Sequence, residues 1–109
     1  MFALNIISIC KGLQKTDINR IIVSQLLRSC TSVGANLEEA AGALTRTEFI
    51  YIMNLAKRES RETNYWLKLL FESNNEYTKN KLKGILREGE EIAKILTVSV
   101  KSAQRKKER

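Results

Sequence analysis

The chain has no histidine and no proline in its 109 residues. Without imidazole, the serine, cysteine and metal-hydrolase arrangements that depend on it cannot be assembled within one chain. Di-iron bundles, which place a Glu-x-x-His on each of two helices, lose their key ligands for the same reason. No metal or cofactor is expected. Proline removes a backbone donor and breaks helices, so its absence favours long uninterrupted ones. Cysteine is scarce, with only Cys10 and Cys30. Long apolar runs are also missing. The opening MFALNIISIC is interrupted by Asn5 and Ser8 and has no basic stretch before it. It reads as neither signal peptide nor membrane span. A cytoplasmic protein with reduced cysteines is therefore expected. No alternating strand pattern, internal repeat or low-complexity linker competes with a helical reading.

What remains is ordinary for a soluble domain, with 43% hydrophobic and 28% charged residues, and the length suits a single one. The net charge is +7. Residues 101–109 hold Lys101, Arg105, Lys106, Lys107 and Arg109 against Glu108 alone, a net +4 that leaves +3 for the first hundred. Most of the imbalance is thus C-terminal. An acidic partner such as RNA or DNA is one implication.

Phe2, Ile6, Ile9 and Leu13 recur at three and four, which predicts a first helix ending between Gly12 and Lys15. Thr16 or Asp17 can cap a second. Its stripe of Ile22, Leu26, Cys30, Val33, Leu37, Ala40 and Leu44 predicts about 27 residues, roughly 40 Å. Thr45-Arg46-Thr47-Glu48 has the form of a capping box, with Glu48 reaching back to the Thr45 amide. The third helix carries Phe49, Ile52, Ala56, Thr63, Trp66 or Leu67, and Leu70, and ends at Ser73-Asn74-Asn75. The fourth starts near Thr78 and uses Leu82, Ile85, Leu86, Gly89, Ile92, Ala93, Leu96, Val100 and Ala103. The expected fold is all-α, an up-and-down antiparallel four-helix bundle with two long central helices. One domain spans 1–109, its basic end 101–109 fraying.

Residues 24–70, SQLLRSCTSVGANLEEAAGALTRTEFIYIMNLAKRESRETNYWLKLL, resemble the four-helix-bundle family of proteins encoded by intervening sequences in 23S ribosomal RNA genes. The likeness lies in Gln25 to Ser29, in Ser32 to Asn36 followed by Glu38-Glu39-Ala40, in Glu48-Phe49-Ile50, and in Glu59 to Thr63 before Tyr65-Trp66-Leu67. Residues 88–96, EGEEIAKIL, are similar more loosely. The resemblance implies an up-and-down protomer, assembly into a ring, typically a pentamer, and no enzymatic activity. A related bundle, the accessory protein of diversity-generating retroelements, looks like a binder of nucleic acid and a reverse transcriptase.

Glu39, Glu59, Glu62, Glu88 and Glu91 could pair for acid–base work, but nothing predicts the desolvated cleft this needs, and salt bridging is the simpler role. On helix two, Gln25, Ser32 and Glu39 are spaced by seven, as are Ser29 and Asn36, forming a polar seam beside the apolar stripe. It could meet Arg58, Glu59 and Glu62 of helix three. Such a seam can fix register and assembly; the rival reading is a polar pocket facing a pore or a ligand.

On helix four, Lys79, Lys83, Arg87, Lys94, Lys101 and Arg105 fall within about 80° of the wheel, opposite the apolar face and broken only by Glu90. With Lys106 and Lys107 of the tail they are the candidate nucleic-acid contacts. The competing reading is a solvated lysine face that keeps the bundle soluble. No aromatic side chain interleaves with the stripe, and Trp66 belongs to the core or a subunit contact. The apolar face of helix four is needed by the bundle, which argues against membrane association. Two functions fit: a homo-oligomeric scaffold that binds RNA or DNA, or an oligomeric adaptor for another protein that ignores nucleic acid.

Overall fold

The computed structural model describes residues 1–108 as four helices, α1 Phe2–Lys11, α2 Asp17–Ala41, α3 Arg46–Glu72 and α4 Glu76–Glu108. The Thr16 hydroxyl accepts from the Asn19 amide at 3.1 Å and starts α2. α3 starts in the same way, Thr45 Oγ1 accepting from the Glu48 amide at 3.0 Å. The return bond differs from the expected capping box. Glu48 Oε2 accepts from the Leu44 amide at 3.2 Å, one residue before the cap. Leu44 is correspondingly outside α2, which stops at Ala41, and is 92% exposed. α4 begins two residues earlier than its apolar pattern, because Asn75 Oδ1 accepts from the Thr78 amide at 3.0 Å and supplies the cap.

Successive helices run antiparallel. α3 packs on α2 and α4, α1 packs on the same two from the opposite side, and α2 and α4 stand diagonally without close approach. The longest helix is α4, with 33 residues, against 25 in α2 and 27 in α3. Three helices, not two, are therefore long. At 1.5 Å per residue α4 sets the 51 Å length of the molecule.

The ten residues of α1 reach only part of that length, and the interior divides accordingly. Where α1 is present, Ile6, Cys10 and Leu13 pack with Ile22, Leu26, Cys30, Leu67, Leu70, Leu82 and Ile85. Beyond Phe2 three helices close over Val33, Ala40, Ile52, Met53, Ala56, Leu96 and Val100. Fully burying each large side chain is worth about 1.5–3 kcal/mol, so both clusters contribute substantially. At the α1 end a reciprocal amide pair ties the two loops together. Asn74 Nδ2 donates to Asn19 Oδ1 at 3.1 Å, and Asn19 Nδ2 donates back to Asn74 Oδ1 at 3.4 Å and to the Gln14 carbonyl at 2.8 Å.

The stretch 101–108, expected to fray, continues α4 as helix, with Ala103 buried as its last anchor. Arg109 lies outside the described residues. No described helix is long and apolar enough to cross a membrane.

Candidate nucleic-acid interface and the polar seam

The buried stripe of α4, Leu82, Ile85, Gly89, Leu96, Val100 and Ala103, faces the other helices. Its opposite face presents Lys83, Arg87, Lys94, Lys101 and Arg105, all exposed, followed by exposed Lys106 and Lys107. None of these seven takes part in an ion pair among the described residues. Lys79 behaves differently. Its stem folds back over the Phe71 ring, 5.5 Å from ammonium to centroid, and its Nζ lies 3.8 Å from Glu76 Oε1. The cationic row thus begins at Lys83. From there to Arg105 it spans about 33 Å of helix. Glu90 and Glu108 are the acids on that face, both exposed.

The seam residues on α2 part company. Ser29 turns fully inward against Thr63, and Gln25 Oε1 accepts from Arg28 Nε at 3.0 Å. Ser32 and Asn36 are half-buried and Glu39 is exposed, none of them in a side-chain hydrogen bond or ion pair among the described residues. Across the gap Glu59 and Glu62 approach α2, whereas Arg58 points outward. The base that joins the two helices is Arg28, which stands outside the heptad-spaced polar set. Its guanidinium contacts Glu59 Oε2 at 3.3 Å and also pairs with Glu62, whose Oε2 accepts from Trp66 Nε1 at 2.9 Å. Position 28 lies three after Gln25 on the same side of the wheel, so the signal was available. The partly buried Trp66 stands edge-on to Tyr65, with ring centroids 4.9 Å apart.

The other carboxylates do not converge. Glu88 is half-buried and Glu91 exposed on α4. Glu88 is the one ionisable residue lining a surface cleft of about 450 Å³ formed with Asn5, Ser8, Ile9, Gly84 and Ile85. No group of three acidic, histidine or cysteine residues that could hold a metal exists among the described residues. The thiols of Cys10 and Cys30 are free and buried. Burial, reinforced by the neighbouring Cys30, pushes Cys10 up to about 11, and burial also raises Cys30. Both are therefore protonated and poorly nucleophilic at neutral pH.

No curated protein matches the sequence. A solved structure does: a protein of unknown function from the S23 ribosomal protein family of Bacteroides thetaiotaomicron VPI-5482. It is 36% identical, with a TM-score of 0.77 over 92% of each chain. The family described as 23S rRNA-intervening sequence protein matches residues 1–98, covering all of α1 to α3 and most of α4. The chain belongs to the 23S rRNA-intervening sequence protein family.

Proposed function

We propose that the protein is a non-enzymatic homo-oligomeric scaffold, a ring of five copies, that binds RNA or DNA through the basic face of α4. One observation carries the nucleic-acid half: a row of exposed cations free of ion pairs among the described residues, held in line by one continuous helix. Paired charges gain little from a phosphate, because an existing partner must first be given up. Unpaired ones release counterions from the nucleic acid on contact, and the gain grows with the number engaged. A ring repeats the row in each copy, so weak contacts act together on one polyanion. The extension of α4 to Glu108 supports this reading, since it keeps Arg105, Lys106 and Lys107 on the same rod. The ring itself is supported by family membership and the resemblance described above.

Fluorescence anisotropy with labelled single- and double-stranded RNA and DNA tests the binding. Complexes are expected at about 50 mM salt, weakening by orders of magnitude toward several hundred millimolar. No complex at low salt would end the nucleic-acid reading. Light scattering in line with size exclusion tests the assembly, and a monomer mass would end the scaffold reading.

A further inference from the structure

We infer that the outward face of α3 is a self-complementary contact that joins two copies of this chain antiparallel about a two-fold axis passing beside residue 60. This rests on the homo-oligomeric reading only in requiring that copies associate.

Besides its core stripe, α3 carries a second one, Tyr51, Leu55, Arg58, Glu62, Tyr65 and Leu69, with alternating steps of four and three. That is the 3.5-residue period of a coiled-coil seam. Yet the chain's own helices cover it only in part: α2 reaches Glu62 through Arg28, Leu55 is half-buried, and the rest faces outward. Tyr51 is 65% exposed, Tyr65 55% and Leu69 36%. An aromatic and aliphatic stripe of heptad spacing, left in water, fits a second helix better than it fits solvent.

The order of residues says which helix. An antiparallel copy centred on residue 60 sets Tyr51 against Leu69, Leu55 against Tyr65, and Arg58 against Glu62, each pair occurring twice. Apolar meets apolar and opposite charges meet, in one register. A parallel copy would set Arg58 on Arg58 and Glu62 on Glu62. A shift by one heptad would set Leu55 on Arg58 and Tyr51 on Glu62. Charged residues at the centre of a seam specify register and orientation in this way, at some loss of stability.

The surrounding charge agrees. Glu59 and Glu62 share a single base, Arg28, so the cluster holds one negative charge in excess, and Glu62 is held in place by Arg28 and by the Trp66 indole. Arg58 is exposed and takes part in no ion pair among the described residues. Arg58 of the second copy neutralises the excess, and the symmetric bond does the same in return. The same carboxylates make the tyrosines of this face a poor platform for a phosphate-bearing strand. The contact is isologous and closes at two copies. Applied to a ring of five, it closes only when two rings stack face to face, five contacts joining ten copies.

The test is the mass in solution at about 10 µM protein, with helicity checked by circular dichroism. The wild type is expected at an even multiple of the 12.5 kDa chain, about 25 kDa for a lone pair or about 125 kDa for two joined rings. Arg58→Glu and Tyr65→Lys alter exposed side chains. Each is expected to weaken the pairing at least tenfold and halve the observed mass, helicity unchanged. The double variant Arg58→Glu/Glu62→Lys, which exchanges the charges across the axis, is expected to regain the wild-type mass relative to Arg58→Glu. A mass near 62 kDa unaffected by either single variant would overturn the two-fold contact and leave the ring intact. A wild-type monomer would overturn both.

Discussion

The hydroxyls of Ser29 and Thr63 lie 3.0 Å apart in the interior between α2 and α3, each also within reach of a carbonyl of its own helix, Leu26 at 3.1 Å and Glu59 at 2.8 Å. With one proton apiece they can make two of these three bonds at a time. Whichever two form, both buried hydroxyl protons find an acceptor, and the bond between the hydroxyls links the two helices. Thr63→Val removes one hydroxyl but leaves Ser29 a carbonyl, so a loss of about 1 kcal/mol is expected. A double-mutant cycle of Thr63→Val with Ser29→Ala, read by urea unfolding, should show coupling of about 0.5–1 kcal/mol. Additive effects would mean that each hydroxyl is satisfied by its own helix alone.

The two glycines of α4 should respond oppositely to alanine. Gly84 has open space around an added Cβ, so Gly84→Ala is expected to stabilise by up to about 1 kcal/mol through helix propensity. At Gly89 the same atom would sit 2.4 Å from Asn64 Oδ1 and 3.4 Å from Phe2 Cζ. Asn64 would have to rotate and give up its 3.1 Å bond to the Gly89 carbonyl. The propensity gain is offset, and Gly89→Ala should be less stable than Gly84→Ala by about 1 kcal/mol or more. Thermal melts of the two variants check this.

Alkaline pH should loosen the end of the bundle that α1 closes. The Cys10 thiol is raised from 9.0 to about 11, chiefly by burial. The unfolded chain therefore releases this proton first, and between those values it binds fewer protons than the native state. Stability is fully present below pH 9, falls as pH rises toward 11, and levels off above it. About two units correspond to roughly 2–3 kcal/mol. Cys10→Ser should flatten that part of the curve in denaturant titrations from pH 8 to 11. A slope unchanged by the substitution would assign the effect elsewhere.

Arg28 bridges two carboxylates but is 46% exposed, which limits its worth. Arg28→Ala should cost about 1 kcal/mol or less at low salt, and less again at high salt, where screening also relieves the Glu59–Glu62 repulsion it leaves behind. Chemical unfolding by urea at two ionic strengths measures both numbers. A loss of several kcal/mol would mean a desolvated network instead.

Most of the helical framework could be read residue by residue. The stripes placed all four helices, and Thr45, with Thr16 as one of two candidates beside Asp17, was visible as a cap because an N-cap bond spans three residues and needs nothing from the rest of the fold. The cap of α3 departs from its expected form by one residue. Glu48 chose the Leu44 amide over that of Thr45, a one-residue choice between adjacent donors. The basic row on α4 was also legible, since wheel angle alone separates it from the core. Lys79 left that row because Phe71, on another helix, offered its ring face.

The seam was legible only as a direction. Ser29 and Asn36 are seven apart, but a 3.6-residue helix drifts about 20° per heptad, so a stripe that starts inside walks outward. Ser29 is fully buried and Asn36 half-buried. Their neighbours on α3 decided the rest, Thr63 offering a hydroxyl at one level and no described residue bonding to the Asn36 side chain at the other.

The sequence by itself determined that the chain is helical, that Thr45 starts α3, and which face of α4 is cationic, because missing proline, capping side chains and 3.6-residue spacing act over a few residues. The tertiary structure decided which polar groups are satisfied by one another: Ser29 with Thr63, Asn19 with Asn74, and Arg28 with Glu59 and Glu62. Those pairs join residues some thirty or more apart in the chain, and their meeting depends on how the long helices cross, which no local pattern encodes.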